Sequence, residues 1–143
     1  MTQKDLKVFQ SPRYTKLADK HPDLKTVASE FKKYKLSDTH ADFGRDELYD
    51  EPDAVRMSGL RHAHLIPQKG WPRTAKRKFD QTSDRALVYC QSTCGKYCLL
   101  FAFLDESHDQ AWKAAFMTEL AEEAEAFFKQ LGVEVDADHH PDE

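Results

Sequence analysis

The spacing of apolar residues changes period several times along the chain, and each change predicts an element. Residues 6–10 (Leu-Lys-Val-Phe-Gln) alternate and then meet Ser11-Pro12, the pattern of a short strand and its stop. From Pro22 the repeat lengthens. Leu24, Val27, Ala28, Phe31 and Tyr34 fall at three- and four-residue steps, which is one stripe of a helix. Pro22 suits the first turn of that helix, where a missing N–H costs nothing. Asp38 to Asp53 is acidic and aperiodic, and reads as loop with at most one helical turn. Residues 60–66 alternate again, so that Arg61, Ala63 and Leu65 share one face and Leu60, His62, His64 and Ile66 the other. Pro67 ends that strand. Gln68 to Asp84 reads as a surface loop with a short irregular piece near Lys76 to Phe79. Arg85–Gln91 and Tyr97–Leu104 are apolar runs flanking Ser92-Thr93-Cys94-Gly95, a hairpin suited to the middle of a sheet. Ser107 with Gln110 makes a capping box, and Asp109 favours the same helix end. Trp112, Phe116, Leu120, Ala124, Phe127 and Leu131 give the stripe of a long helix closed by Gly132. The order predicts an α+β layer fold, with helices on one face of a mainly antiparallel sheet.

Length and composition narrow the class. A chain of 143 residues fits one domain, here residues 1–132, followed by an acidic tail over 133–143 that is expected to fray. The longest apolar run, Cys98 to Leu104, is far short of the roughly 18 residues of a membrane span. The polar N-terminus does not resemble a signal peptide, and three cysteines make a poor disulfide scaffold. The expectation is a soluble, cytoplasmic protein.

Charge is unevenly placed. The net charge is -4, yet residues 54–89 carry eight basic side chains against two acidic ones. Residues 105–143 carry twelve acidic against two basic. The basic segment suits a polyanion or a plain solvated face. The acidic tail either stays in solvent or lies on that segment and inhibits in cis.

Three groups of residues could carry chemistry. Cys90, Cys94 and Cys98 lack zinc-knuckle spacing and a completing ligand pair, so packing is the first reading, with metal or redox roles behind it. His62 and His64 share a strand face beside the basic segment, which fits proton transfer on a phosphodiester as well as a merely structural pair. His139-His140 sits in the acidic tail and reads as inert. Arg77-Lys78-Phe79, then Thr82, Asp84 and Tyr89, combine cations for a phosphate, a proton-moving phenol and a carboxylate able to orient a neighbour. Phe79 and Trp71 offer rings for base stacking. No Gly-rich phosphate loop, nucleophile elbow or paired-carboxylate metal motif is present.

Phe43-Gly44-Arg45-Asp46-x-Leu48-Tyr49-Asp50, His62-x-His64-Leu65, and Thr82-x-Asp84 with Leu87-Val88-Tyr89-Cys90-Gln91 resemble the YafO family of bacterial type II toxin–antitoxin toxins. The resemblance runs from about Phe31 to Phe127. It implies a RelE-like fold, a small antiparallel sheet packed by helices. It also implies a ribosome-dependent messenger-RNA endoribonuclease held silent by a cognate antitoxin. In such chemistry the 2′-hydroxyl attacks the adjacent phosphate with no metal and no cofactor. The resemblance makes His62, His64, Arg77, Asp84 and Tyr89 the expected catalytic set. Arg61, Arg73, Lys76, Lys78, Phe79, Thr82 and Arg85 become expected RNA contacts. Arg45 and Asp46 match the motif either as catalytic residues or as a structural ion pair. Gln81 stands where the family would lead one to expect a cation. The expected partners are the antitoxin, the ribosome and messenger RNA, and no membrane. The alternative is a non-catalytic toxin of the same fold that inhibits a protein target such as DNA gyrase or blocks the ribosome.

Overall fold

The computed structural model describes residues 6–37, 40–49, 53–67, 69–104 and 114–137. Among them five strands and four helices run in the order β1 (Lys7–Gln10), α1 (Pro12–Lys20), α2 (Asp23–Ser37), β2 (Phe43–Leu48), α3 (Asp53–Met57), β3 (Arg61–Leu65), β4 (Ala86–Gln91), β5 (Tyr97–Leu104) and α4 (Ala114–Leu131). The strands form one sheet in the order β1-β5-β4-β3-β2. The β2–β3, β3–β4 and β4–β5 pairs are antiparallel, while β1 joins β5 in parallel. The α+β class stands, with a mixed sheet.

The hairpin sits in the sheet's interior for a simple reason. Five consecutive residues of β4, Ala86 to Cys90, are wholly buried, so both faces of that strand need cover. Alternate residues go to opposite layers. Leu87, Tyr89, Cys98 and Leu100 pack with Ala63 and Leu65 under α1 and α2, through Tyr14, Ala18, Leu24, Ala28, Phe31 and Tyr34. Val88, Cys90, Leu99 and Phe101 pack under α3 and α4, through Val55, Met117, Leu120, Ala124 and Phe128. Helices therefore cover both faces of the sheet, where one covered face was expected.

Three local readings are corrected. Ser11-Pro12 stops β1 but also starts α1: the Tyr14 N–H donates to Ser11 Oγ at 3.1 Å, and Pro12 takes the first helical position. The acidic stretch read as loop contains β2. Its Gly-Arg-Asp-Glu core hides the alternation, and a bulge between Phe43 and Asp46 breaks it outright. On α4 the buried stripe is Met117, Leu120, Ala121, Ala124 and Phe128, with Phe116 and Phe127 only flanking it. Ser107, Asp109, Gln110, Trp112 and His139-His140 lie outside the described residues.

After Gly132 the chain turns back along the hairpin. Val135 bridges Ser92, the Thr93 N–H donates to the Glu134 carbonyl at 2.9 Å, and the Asp136 N–H donates to the Gln91 carbonyl at 2.8 Å.

Candidate functional site

β3 pairs with edge strand β2 so that His62 faces Glu47, while Asp46 lies opposite Ala63 on the other face. On the α3 side of the sheet this register gathers His62, His64, Glu47, Arg45 and Tyr49. The two imidazole rings meet edge to face at 5.3 Å, and Tyr49 stacks on His62 at 4.2 Å. His62 Nε2 lies 3.6 Å from Glu47 Oε1, and Arg45 Nη2 reaches Glu47 Oε2 at 2.9 Å. Arg45 also lies 3.9 Å over the ring of Phe79, a residue 43% exposed. The adjacent His62 first, and then the Arg45 guanidinium, hold the Glu47 carboxyl below its ordinary range.

The two histidines differ in surroundings. The His64 side chain is buried, with Nδ1 accepting from the Ser83 N–H at 3.0 Å and lying 2.8 Å from the Ser83 carbonyl oxygen, to which it donates only when protonated. Burial, and after it the neighbouring His62, push this imidazole below its usual range. His62 is 14% exposed at the side chain and is paired with a carboxylate. Its Nδ1 is buried with no hydrogen-bond partner among the described residues.

Tyr89 is not brought to the histidines. It pairs with Arg61 across β3–β4, whereas Val88 pairs with His62, so its side chain leaves by the opposite face. There its hydroxyl donates to the Asp46 carboxylate at 2.7 Å, alongside the Tyr34 hydroxyl at the same distance. Burial, and then the Asp46 charge, raise the Tyr89 phenol well above its ordinary value. Arg45 and Asp46 form no mutual pair: Arg45 joins Glu47 on the histidine face and Asp46 joins the tyrosines on the other.

The loop between β3 and β4 docks on the β2 edge. The Arg45 N–H donates to the Gln81 carbonyl at 2.9 Å, and the Trp71 indole N–H donates to the Ala41 carbonyl at 2.9 Å. A Cβ on Gly44 would stand 2.8 Å from Trp71 Cη2, 2.6 Å from Gln81 Cβ and closer still to the Gln81 carbonyl oxygen. Gly44→Ala is therefore expected to lift this loop and cost about 1–3 kcal/mol, read as a lower urea midpoint at unchanged slope. Within the loop a 3-10 turn spans Lys78–Asp80. Arg77, 76% exposed at the side chain, makes a bidentate pair with Asp80 at 2.8 and 3.1 Å. Arg73, Lys76 and Thr82 are exposed, as is Asp84, which precedes β4; it is the Ser83 main chain that meets His64. Two expected RNA contacts are committed to the fold. Arg61 is buried and paired with Asp136 at 3.6 Å, and Arg85 donates to the Ile66 carbonyl at 3.1 Å while covering Phe103.

Cys90 and Cys98 are buried on opposite faces of the sheet, with thiols pushed up by burial, Cys98 to about 11. Cys94 is exposed in the turn. Among the described residues no three His, Cys, Asp or Glu side chains are grouped to hold a metal. None of the described helices is long and apolar enough to cross a membrane.

Glu47 is the member of this cluster that the sequence pattern does not single out. Arg45 and Glu47 stand two residues apart, the spacing of one strand face, and reading 43–48 as a strand would have placed both beside the histidines. A family model described as toxin YafO, type II toxin–antitoxin system, matches residues 32–129, which include every residue of this cluster. No curated protein and no solved structure matches the chain.

Proposed function

Because the chain belongs to the YafO toxins of type II toxin–antitoxin systems, we propose that it silences translation by cutting messenger RNA on the ribosome. The observation that carries this reading is the pair of imidazoles 5.3 Å apart on one sheet face, on the side where Arg45 joins Glu47. In the tautomer with its proton on Nδ1, His64 donates to the Ser83 carbonyl, gives up the hydrogen bond from the Ser83 N–H, and leaves Nε2 to accept. Its burial favours the neutral form. His64 is then the base that takes the 2′-hydroxyl proton. His62, beside the Glu47 carboxylate, is the acid.

The 2′-oxygen attacks phosphorus, the P–O5′ bond breaks, and His62 gives its proton to the departing 5′-oxygen. The products are a 2′,3′-cyclic phosphate and a 5′-hydroxyl. Arg45 and Arg77 stabilise the charge that builds on the phosphoryl oxygens. Phe79, with Arg45 under one face of its ring, stacks on an unpaired base. Tyr89 has no step in this scheme, since its hydroxyl is held by Asp46 on the other face.

The test is brief expression in bacterial cells with mapping of message 5′ ends, for the wild type and for His62→Gln/His64→Gln. New ends inside translated messages that vanish in the variant support the reading; arrest of growth without new ends overturns it. A second reading has its own observation. Both imidazoles are largely covered, His64 at 6% exposure, which suits a toxin that binds a target without cutting. Growth arrest by the double variant would favour it.

Family membership also implies a cognate antitoxin. An acidic segment of that partner would complement the loop that carries Arg73, Lys76 and Arg77. Glu47→Gln is expected to slow cleavage about tenfold, because the His62 ring loses the carboxylate that faces and orients it. Single-turnover rates on ribosome-bound message check this.

A further inference from the structure

We infer that Lys78 is a positioning residue, which latches the cation-bearing loop to the fold through the hydroxyl of Tyr34. This rests on the proposed function only for its catalytic consequence; the latch itself is a matter of contacts. The 3-10 turn straddles edge strand β2. On the α2 side the Lys78 ammonium donates to the Tyr34 hydroxyl and lies 4.5 Å from the ring centroid. On the histidine side the next residue, Phe79, lies against Arg45. Consecutive side chains thus grip opposite faces of one strand.

The anchor that Lys78 meets is rigid. Tyr34 is buried, stacks on Phe43 at 4.9 Å, and donates its own hydroxyl hydrogen to Asp46 Oδ2 at 2.7 Å. Asp46 also accepts from Tyr89, and Lys35 donates to the Tyr89 hydroxyl at 3.4 Å. A hydroxyl that gives its hydrogen to a carboxylate is left as an acceptor, and an ammonium is the donor that fits it. The sequence groups Lys78 with the expected RNA contacts. Its ammonium instead faces the α2 side of the sheet, away from the imidazoles, and fixes where Arg77 and Phe79 stand.

Hydrogen exchange on the full-length protein tests this without depending on catalysis. In Lys78→Met, amides of residues 77–82 are expected to exchange about tenfold faster, with the β4–β5 hairpin unchanged. Lys78→Arg, which keeps a donor, restores most of the protection. Tyr34→Phe, which keeps the ring and loses the acceptor, reproduces the Lys78→Met pattern, and the double variant is no faster than either single one. Unchanged loop exchange in Lys78→Met overturns the latch, even if cleavage falls, because that combination is the signature of a direct RNA contact. If Lys78→Met also loosens the hairpin, the decision passes to Tyr34→Phe: a loose loop on an intact hairpin supports the latch, and an unchanged loop overturns it. Where the wild type cleaves message, Lys78→Met raises KM more than it lowers kcat. A loop that loosens in a protein that cuts nothing leaves the latch standing and removes the endonuclease reading.

Discussion

Replacing His64 with glutamine lowers the rate of message cleavage by about two to four orders of magnitude, the usual weight of a positioned proton acceptor, while the protein stays folded. Glutamine retains an amide that can meet the Ser83 main chain but cannot take a proton near neutral pH. The pH dependence carries the sign of the environment. His64 is pushed down by burial and by His62, so it becomes neutral at a lower pH than a free histidine near 6.5. The acidic limb of the wild-type rate profile is therefore expected below pH 6.5, and it disappears in the variant. Stability obeys the same linkage. The unfolded chain binds a proton at this site before the folded chain does, so the contribution is complete above about 6.5 and is lost as pH falls through the depressed folded value. Glu47, whose carboxyl is also held low, adds a second loss at more acid pH, as pH falls from its ordinary range through its folded value. Thermal unfolding of wild type and His64→Gln between pH 7.5 and 5.5 measures the histidine part. Parallel curves through that window would show that burial of this imidazole contributes nothing.

The site was legible where one side-chain period ruled and illegible where two strands had to be paired first. His62 and His64 could be put on one face because β3 alternates without interruption. The hairpin was legible because β4 and β5 are continuously apolar, the pattern of strands covered on both faces. β2 could not be read this way. It is an edge strand whose Arg45, Asp46 and Glu47 each find a polar partner, so it needs no hydrophobic alternation, and its bulge breaks what alternation exists. Without β2, Glu47 had no route into the site, and Arg45 and Asp46 looked like neighbours free to pair. Tyr89 failed for a related reason. Its place beside the histidines needed the β3–β4 register, which sets Tyr89 against Arg61 and turns its side chain to the tyrosine–aspartate side. The helix after Ser11 was hidden by its position directly behind a strand, although the serine and proline that start it were both in view.

Asp136→Ala is expected to destabilise the protein by about 3 kcal/mol, a large effect for a residue in a stretch that reads as a solvated acidic tail. The physical cause lies in its partner. Arg61 is a cation with a side chain 3% exposed, and Asp136 is a carboxylate set 3.6 Å from it. Removing Asp136 takes one close carboxylate away from a buried cation, and a buried pair that loses a member loses more than the intact pair contributes. Asp136 Oδ2 also accepts from Gln91 Nε2 at 3.2 Å, so the same substitution strips a second contact from the hairpin. The segment cannot simply slide to compensate. A Cβ on Gly59 would stand 2.7 Å from the Asp136 carbonyl oxygen and 2.8 Å from Val135, so the strap is seated tightly against the turn before β3. Asp136→Asn keeps the hydrogen bond and loses the charge, and should fall between wild type and alanine. This changes the expected effect of truncation. Deleting residues from 133 onward removes Asp136 along with the Thr93 and Ser92 contacts, and should lower the yield of folded protein rather than release activity. Urea midpoints for the two Asp136 variants, measured beside a chain ending at residue 137, separate the strap from the residues beyond it. Equal stability in the alanine variant and wild type would mean that Arg61 is neutralised from elsewhere.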